Sequence, residues 1–179
     1  MISIVSFTSK YSSDVKALLL SVLDDEFGHT GVERPDLDDI LKAYQKDEFS
    51  NFFLALDASK LVGTIAILHN GDGSGVMKRF CVPKEKRGKG IGQKLLLHLL
   101  NFAKEKRYTS IYLQTTTDMK IANALYEKNG FTKIKQPAQL ANAHLLPTSV
   151  FYKIKLVPYT EEKPFNEFDD KYTAKRSVL

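Results

Sequence analysis

Val76-Met77-Lys78-Arg79-Phe80-Cys81-Val82 runs, after four residues, into Arg87-Gly88-Lys89-Gly90-Ile91-Gly92. The first segment is apolar enough at alternate and adjacent positions to read as a strand. The second is a turn in which closely spaced glycines strip away side chains, so backbone N–H groups can converge on a ligand. It feeds a helix beginning near Gly92, whose apolar face is Leu95, Leu96, Leu99, Leu100, Phe102 and Ala103. A helix N-terminus attracts anions through its unpaired amides and its dipole. Arg87 and Lys89 add positive charge at the same point, so the turn reads as a pyrophosphate cradle. Strand, turn and helix together set the chain among α/β proteins.

Charge is distributed to match. The net charge of +5 conceals a strong asymmetry. Residues 1–75 carry six basic side chains against twelve acidic ones, a net of −6. Residues 76–107 carry ten basic against two acidic, a net of +8. The basic excess is therefore focused on the glycine turn and its helix. A nucleic-acid binder spreads such charge along a face or carries a recognisable module, and a small polyanionic ligand fits this pattern better. The 43% apolar and 26% charged composition is that of a globular protein. No apolar run approaches the ~20 residues of a membrane span. The N-terminal MISIVSFTSKYSSDV lacks the pattern of a secretory signal. Cys81, alone, forms no intrachain disulfide and is better read as a small core hydrophobe than as a nucleophile. A reducing cytoplasm is the expected setting.

Working outward, Ile2–Phe7 reads as a first strand. A helix capped by Ser12 or Ser13 runs to about Leu23, and a second spans Asp36–Lys46 behind Pro35. Phe52–Leu56 and Leu61–Leu68 form a hairpin across Asp57-Ala58-Ser59-Lys60. Past the glycine helix come a strand at Ser110–Gln114 and a helix from about Asp118 to Lys128, stopped by Asn129-Gly130. Phe131–Lys135 and Val150–Val157 close the pattern as β segments, with Pro137–Pro147 a longer connection between them. The order βααβββαβαββ predicts one domain over residues 1–157: a mixed sheet with helices on both faces. Residues 158–179 are polar and read as an extension outside the core.

Two familiar phosphate loops fail here. No Gly-x-x-x-x-Gly-Lys-[Ser/Thr] run exists, and from Gly88 the sixth position of Gly-x-Gly-x-x-Gly is Gln93. Arg87-x-x-Gly90-x-Gly92 does resemble the Arg/Gln-x-x-Gly-x-Gly/Ala signature of the GNAT superfamily of N-acetyltransferases. Downstream, Ala122-Asn123-Ala124-Leu125-Tyr126-Glu127-Lys128-Asn129-Gly130-Phe131 is similar to that family's Ala-x-x-Leu-Tyr-x-x-x-Gly-Phe segment. Both motifs lie in residues 79–131, in order and on the expected elements.

The resemblance implies a sheet whose central strands splay to admit acetyl-CoA. It implies that Arg87 and the amides of Gly88, Lys89, Gly90, Ile91, Gly92 and Gln93 hold the pyrophosphate. Phe80, Cys81 and Val82 would pair with the pantetheine arm, Asn123 would bond the cofactor, and Tyr126 would be the general acid. In such a transfer an amine attacks the thioester, a strand amide at Val82 or a neighbour stabilises the oxyanion, and a phenol protonates the departing thiolate.

Two departures stand out. The Val76–Val82 strand holds Lys78 and Arg79 where many members carry an acidic base, and Met119 replaces a frequent Asn seven residues before the tyrosine. Glu26, His29, Glu33, Glu48 and His69 are left as candidate bases, beside a water chain. The acids between Asp24 and Asp39 suggest a cationic acceptor such as a polyamine, an amino sugar or a lysine side chain, provided they are not merely solvated helix faces. The expected protein is an acetyl-CoA-dependent N-acetyltransferase, monomeric or homodimeric. A non-catalytic acyl-CoA-binding domain of the same fold is the alternative reading, followed by a basic nucleic-acid binder. No histidine–carboxylate spacing suggests a metal.

Overall fold

The computed structural model describes residues 1–26, 28 and 33–157. Seven strands form one sheet: β1 (Ile2–Ser6), β2 (Asn51–Asp57), β3 (Lys60–His69), β4 (Ser74–Cys81), β5 (Ser110–Thr116), β6 (Thr132–Ile134) and β7 (Ser149–Lys155), in the spatial order β1-β2-β3-β4-β5-β7-β6. Neighbours are antiparallel except β4 and β5, which run parallel. The helices are α1 (Ser12–Leu20), α2 (Ile40–Tyr44), α3 (Ile91–Glu105) and α4 (Lys120–Lys128). The expected element order and hairpin are therefore present. The segment 158–179 lies outside the described residues.

Alternation along the strands divides the core between two faces. On β2, Phe53 and Ala55 join Ile65 and Ile67 of β3 under Leu95, Leu96, Leu99 and Leu100 of α3. Phe52 and Leu54 face the other way and bury against Val15 and Leu19 of α1 and Ile40 and Tyr44 of α2. A smaller cluster of Val76, Tyr112 and Phe151 is covered by Leu140 from the long connection before β7. Helices on both faces follow directly from these two apolar sets.

Two helices differ from the expected spans. The first is α-helical only to Leu20 and continues as wider π-type turns through Glu26. The second is split: a 3-10 turn at Pro35–Leu37 precedes α2, because the Asp39 side chain accepts the amide of Lys42 and restarts the helix there.

Two irregularities shape the site. Thr64 of β3 faces Cys81 while Ala66 faces Lys78, so β4 carries one extra residue as a β-bulge. Arg79 sits in it at φ +52°, a left-handed conformation uncommon for a side-chain-bearing residue. The Thr64 hydroxyl donates to the Arg79 carbonyl at 2.7 Å and fixes that peptide. Next, β4 and β5 pair only over Ser74–Val76 against Ser110–Tyr112, beyond which both strands continue without forming rungs to each other. The bulge and the opening lie at the same end of the sheet.

Candidate active site at the splayed strands

Two clefts meet where β4 leaves β5. One, of about 690 Å³, lies between the glycine turn and α4. The other, of about 980 Å³, lies between β4, residues 33–36 and the connection 138–146. Leu23, Phe80, Cys81 and Met119 line both, so the end of β4 is their shared wall.

The first cleft assembles most of the cofactor residues expected from the sequence. Phe80, Cys81, Val82, Arg87, Gly88, Gly90, Ile91, Gly92 and Gln93 all line it. Gly88 and Gly90 hold φ of +75° and +76°, which supplies the left-handed turn into α3. Gly90 is the N-cap of α3, and among the described residues no side-chain cap bond is made there. Gly92 serves close packing instead, since a Cβ there would sit 3.3 Å from the Phe80 ring and 3.5 Å from Leu125. Arg87 donates its Nε to the Val82 carbonyl at 2.8 Å, which ties the guanidinium to the strand end. Gln93 exchanges side-chain hydrogen bonds with Asn129, at 2.9 and 3.3 Å, and so clamps α3 to the end of α4.

Two expected cofactor residues sit elsewhere. Lys89 does not line the cleft, and its ammonium approaches the Glu85 carbonyl at 3.4 Å. Asn123 also stands off the lining: its Nδ2 donates to the Thr116 carbonyl at 2.9 Å, and its buried Oδ1 has no partner among the described residues. In Asn123 the side chain turns inward to brace the loop leaving β5. Lys86, Lys120 and Lys128, which the motif did not single out, bring cationic side chains to the cleft, with Asp118 opposing them.

Tyr126 is 5% exposed and lines the second cleft. Its ring packs among Phe80, Phe131 and Tyr152, with centroids 5.8 to 5.9 Å apart. Burial, with smaller contributions from Cys81 and Tyr152, pushes the phenol above its ordinary pKa, which keeps the proton on at neutral pH. Cys81 is a buried thiol at 7% exposure.

The second cleft contains a network that no local pattern announced. Arg79 grips Asp36 through two bonds, Nε to Oδ2 at 2.8 Å and a second nitrogen to Oδ1 at 2.5 Å, and the Tyr44 hydroxyl also donates to Asp36. Burial pushes the Asp36 carboxyl up, yet the bonds from Arg79 and Tyr44 and the Arg79 charge outweigh it and hold the group below its usual range. Arg79 and Asp36 are 16% and 21% exposed. The acids that suggested a cationic acceptor are partly committed elsewhere: Asp24 pairs with Arg34 and Asp38 with Lys16, both at 2.7 Å, and Asp39 caps α2. Among the candidate bases, Glu33 lines the cleft. Glu48 pairs with Lys106 at 2.9 Å, and His69 packs between Phe49 and Tyr108; neither lines either of these two clefts. His29 and the Glu26 side chain lie outside the described residues.

A bulged strand, a parallel neighbour that diverges from it, and a glycine turn at the head of the following helix define an acetyltransferase-type α/β fold. Residues 17–131 match the model of the acetyltransferase (GNAT) family, and the chain belongs to that family. It is 37% identical over 102 residues to an N-acetylaspartate synthetase of Xenopus tropicalis, covering 56% of this chain and 38% of that one. It is 34% identical over 108 residues to human N-acetyltransferase 8B, covering 58% and 48% respectively. The match thus spans about two fifths to half of these curated relatives. An acetyltransferase of the GNAT family from Staphylococcus aureus superposes with a TM-score of 0.78 at 28% identity, covering 88% of this chain and all of that one. The PaiA N-acetyltransferase of Thermoplasma acidophilum, solved with coenzyme A, shares the fold with a TM-score of 0.71 at 17% identity, covering 87% and 99%. Among the described residues no helix is long and apolar enough to cross a membrane.

Proposed function

We propose that this protein moves an acetyl group from acetyl-CoA to a primary amine by direct attack within a ternary complex. The observation that carries this reading is the meeting of two clefts at the bulged end of β4, with the Tyr126 phenol packed beside it. A pyrophosphate suits the glycine turn, the amides of α3 and the cations Lys86, Arg87, Lys120 and Lys128. An extended pantetheine chain suits the strand edge that β4 presents once its rungs to β5 end.

When bound, acetyl-CoA supplies the activated thioester. The chain's own residues do the rest. A backbone amide at the bulged end of β4, Val82 or a neighbour, is the donor this reading assigns to the oxyanion. The amine nitrogen bonds to the carbonyl carbon, the carbon–sulfur bond breaks, Tyr126 gives its proton to the departing thiolate, and the proton shed by the newly acylated nitrogen passes through water to restore the phenol. An amine arriving protonated loses its extra proton to Glu33 or to water before attack. The single cysteine, Cys81, is the separate ground for inferring a reducing cytoplasm as the setting.

The test is a screen of amines with acetyl-CoA that follows thiol release, with Tyr126→Phe alongside. Loss of the proton donor should lower kcat by roughly 100-fold while coenzyme A affinity is retained. Coenzyme A binding with no thiol release for any amine would instead mark a binding domain of this fold.

A further inference from the structure

Apart from Cys81 and Tyr126, six charged or titratable side chains line the larger cleft: Glu33, Arg34, Asp36, Lys78, Arg79 and His144. Arg34 is satisfied by Asp24, and Arg79 by Asp36. Lys78 stands apart. Its side chain is exposed into the cleft, and among the described residues its ammonium has neither an ion pair nor a hydrogen bond. The bulge explains its position. Strict alternation would send Lys78 and Arg79 to opposite faces, yet the extra residue lets both reach the same cleft. Arg79 then claims the nearby carboxylate.

From these positions we propose that the acceptor carries an anionic group beside its amine, as an amino carboxylate does, and that Lys78 receives that group. The proposal rests on the transferase reading above and gives it a substrate class. Its physical basis is uncompensated charge. Cleft walls and the neighbouring Arg79 cation both disfavour the Lys78 ammonium, and Asp36 offsets them only in part, so its pKa lies below the ordinary value. An anion placed against it reverses that penalty. The acids that would draw a polycation, Asp24, Asp36 and Asp38, are already paired. Glu33 complements the proposal, because an amino carboxylate arrives with an ammonium as well. Position agrees too: Lys78 precedes Cys81 by three residues, and the bulge sets that stretch against two residues of β3, roughly 7 Å of backbone. A lysine side chain and a short amino acid together span that interval. The far wall is held by Gln114, which donates to the His144 carbonyl at 2.7 Å.

The test separates binding from turnover. Protein saturated with coenzyme A is titrated calorimetrically with alanine, aspartate and glutamate, with the amides of the same amino acids, and with spermidine. Carboxylates should bind at least tenfold more tightly than their amides, and Lys78→Met should abolish that preference. Lys78→Arg should restore most of it, with coenzyme A affinity and Tm unchanged in both variants. Carboxylates that bind no better than amides, a preference that survives in Lys78→Met, or tightest binding of spermidine would each overturn the proposal. Thiol release in parallel assays judges the transferase reading on its own: acceptors that bind through Lys78 without turnover would defeat that reading and leave the Lys78 site standing.

Discussion

The two clefts share the end of β4 and are built in different ways. The smaller one comes largely from two continuous stretches, 80–93 and 118–128. Its shape depends on local backbone, above all the left-handed Gly88 and Gly90. The larger one gathers residues from 23–36, 68–81, 113–126 and 138–146, and its key ion pair joins Asp36 to Arg79 across 43 positions. A donor with a fixed handle can be held by a motif of fixed spacing. A variable acceptor is met by side chains brought together from several loops. Substitutions should therefore act on one cleft without the other, except where they touch β4, Leu23 or Met119.

The largest expected effect is on the first cleft. Gly90→Glu places a carboxylate at the proposed anion site and forces a side chain onto φ +76°. Coenzyme A affinity should fall by at least roughly 100-fold, read by calorimetry. A drop below tenfold would show that the turn is not the anion cradle. Asp36→Asn comes next and tests the second cleft. It leaves the Arg79 guanidinium without its charge partner and should cost about 2–3 kcal/mol of stability, seen as a lower Tm. Because Arg79 holds the bulge that both clefts share, this variant should also lower kcat. An unchanged Tm would mean that the pair contributes little.

The pH response of the same pair has a definite sign. Asp36 titrates below its unfolded value in the folded protein. Its contribution is thus complete above the ordinary carboxylate range and is lost as pH falls through the depressed folded value. In acid the wild type should lose stability faster than Asp36→Asn. Parallel slopes across that window would contradict the assignment. The smallest effect belongs to Asn129→Ala, which removes the exchange with Gln93 and a 2.7 Å bond to the Leu125 carbonyl. About 1 kcal/mol is expected, with acceptor binding untouched.

How legible all this was in the sequence follows the same division. Element order could be read throughout, because the periodicities of Leu95–Ala103 and of the Phe52–Leu68 hairpin are local facts. The glycine turn and the Tyr126 segment could also be read, since spacing along the chain becomes spacing in space over one turn and one helix. Asp36 could not. On its helix turn it looks like a solvated acid, and its partner is an arginine whose direction is set by a one-residue bulge. The break at Asp39 escaped for a related reason, since the apolar spacing of Leu37, Ile40, Leu41 and Tyr44 continues straight through it. Asn123 shows the reverse case: a motif position whose amide the structure spends on the Thr116 carbonyl.

The short pairing between β4 and β5 has a consequence for the molecule as a material. Strands β1–β4 and β5–β7 are joined within the sheet over only three residues of each partner strand. A ligand that lies along the remaining edge acts as an interior beam, carrying load between two half-sheets. Loaded protein should gain stability in step with the logarithm of ligand concentration. It should also show slowed amide exchange at Met77–Cys81 and Leu113–Thr116, far beyond the few residues that touch the pyrophosphate.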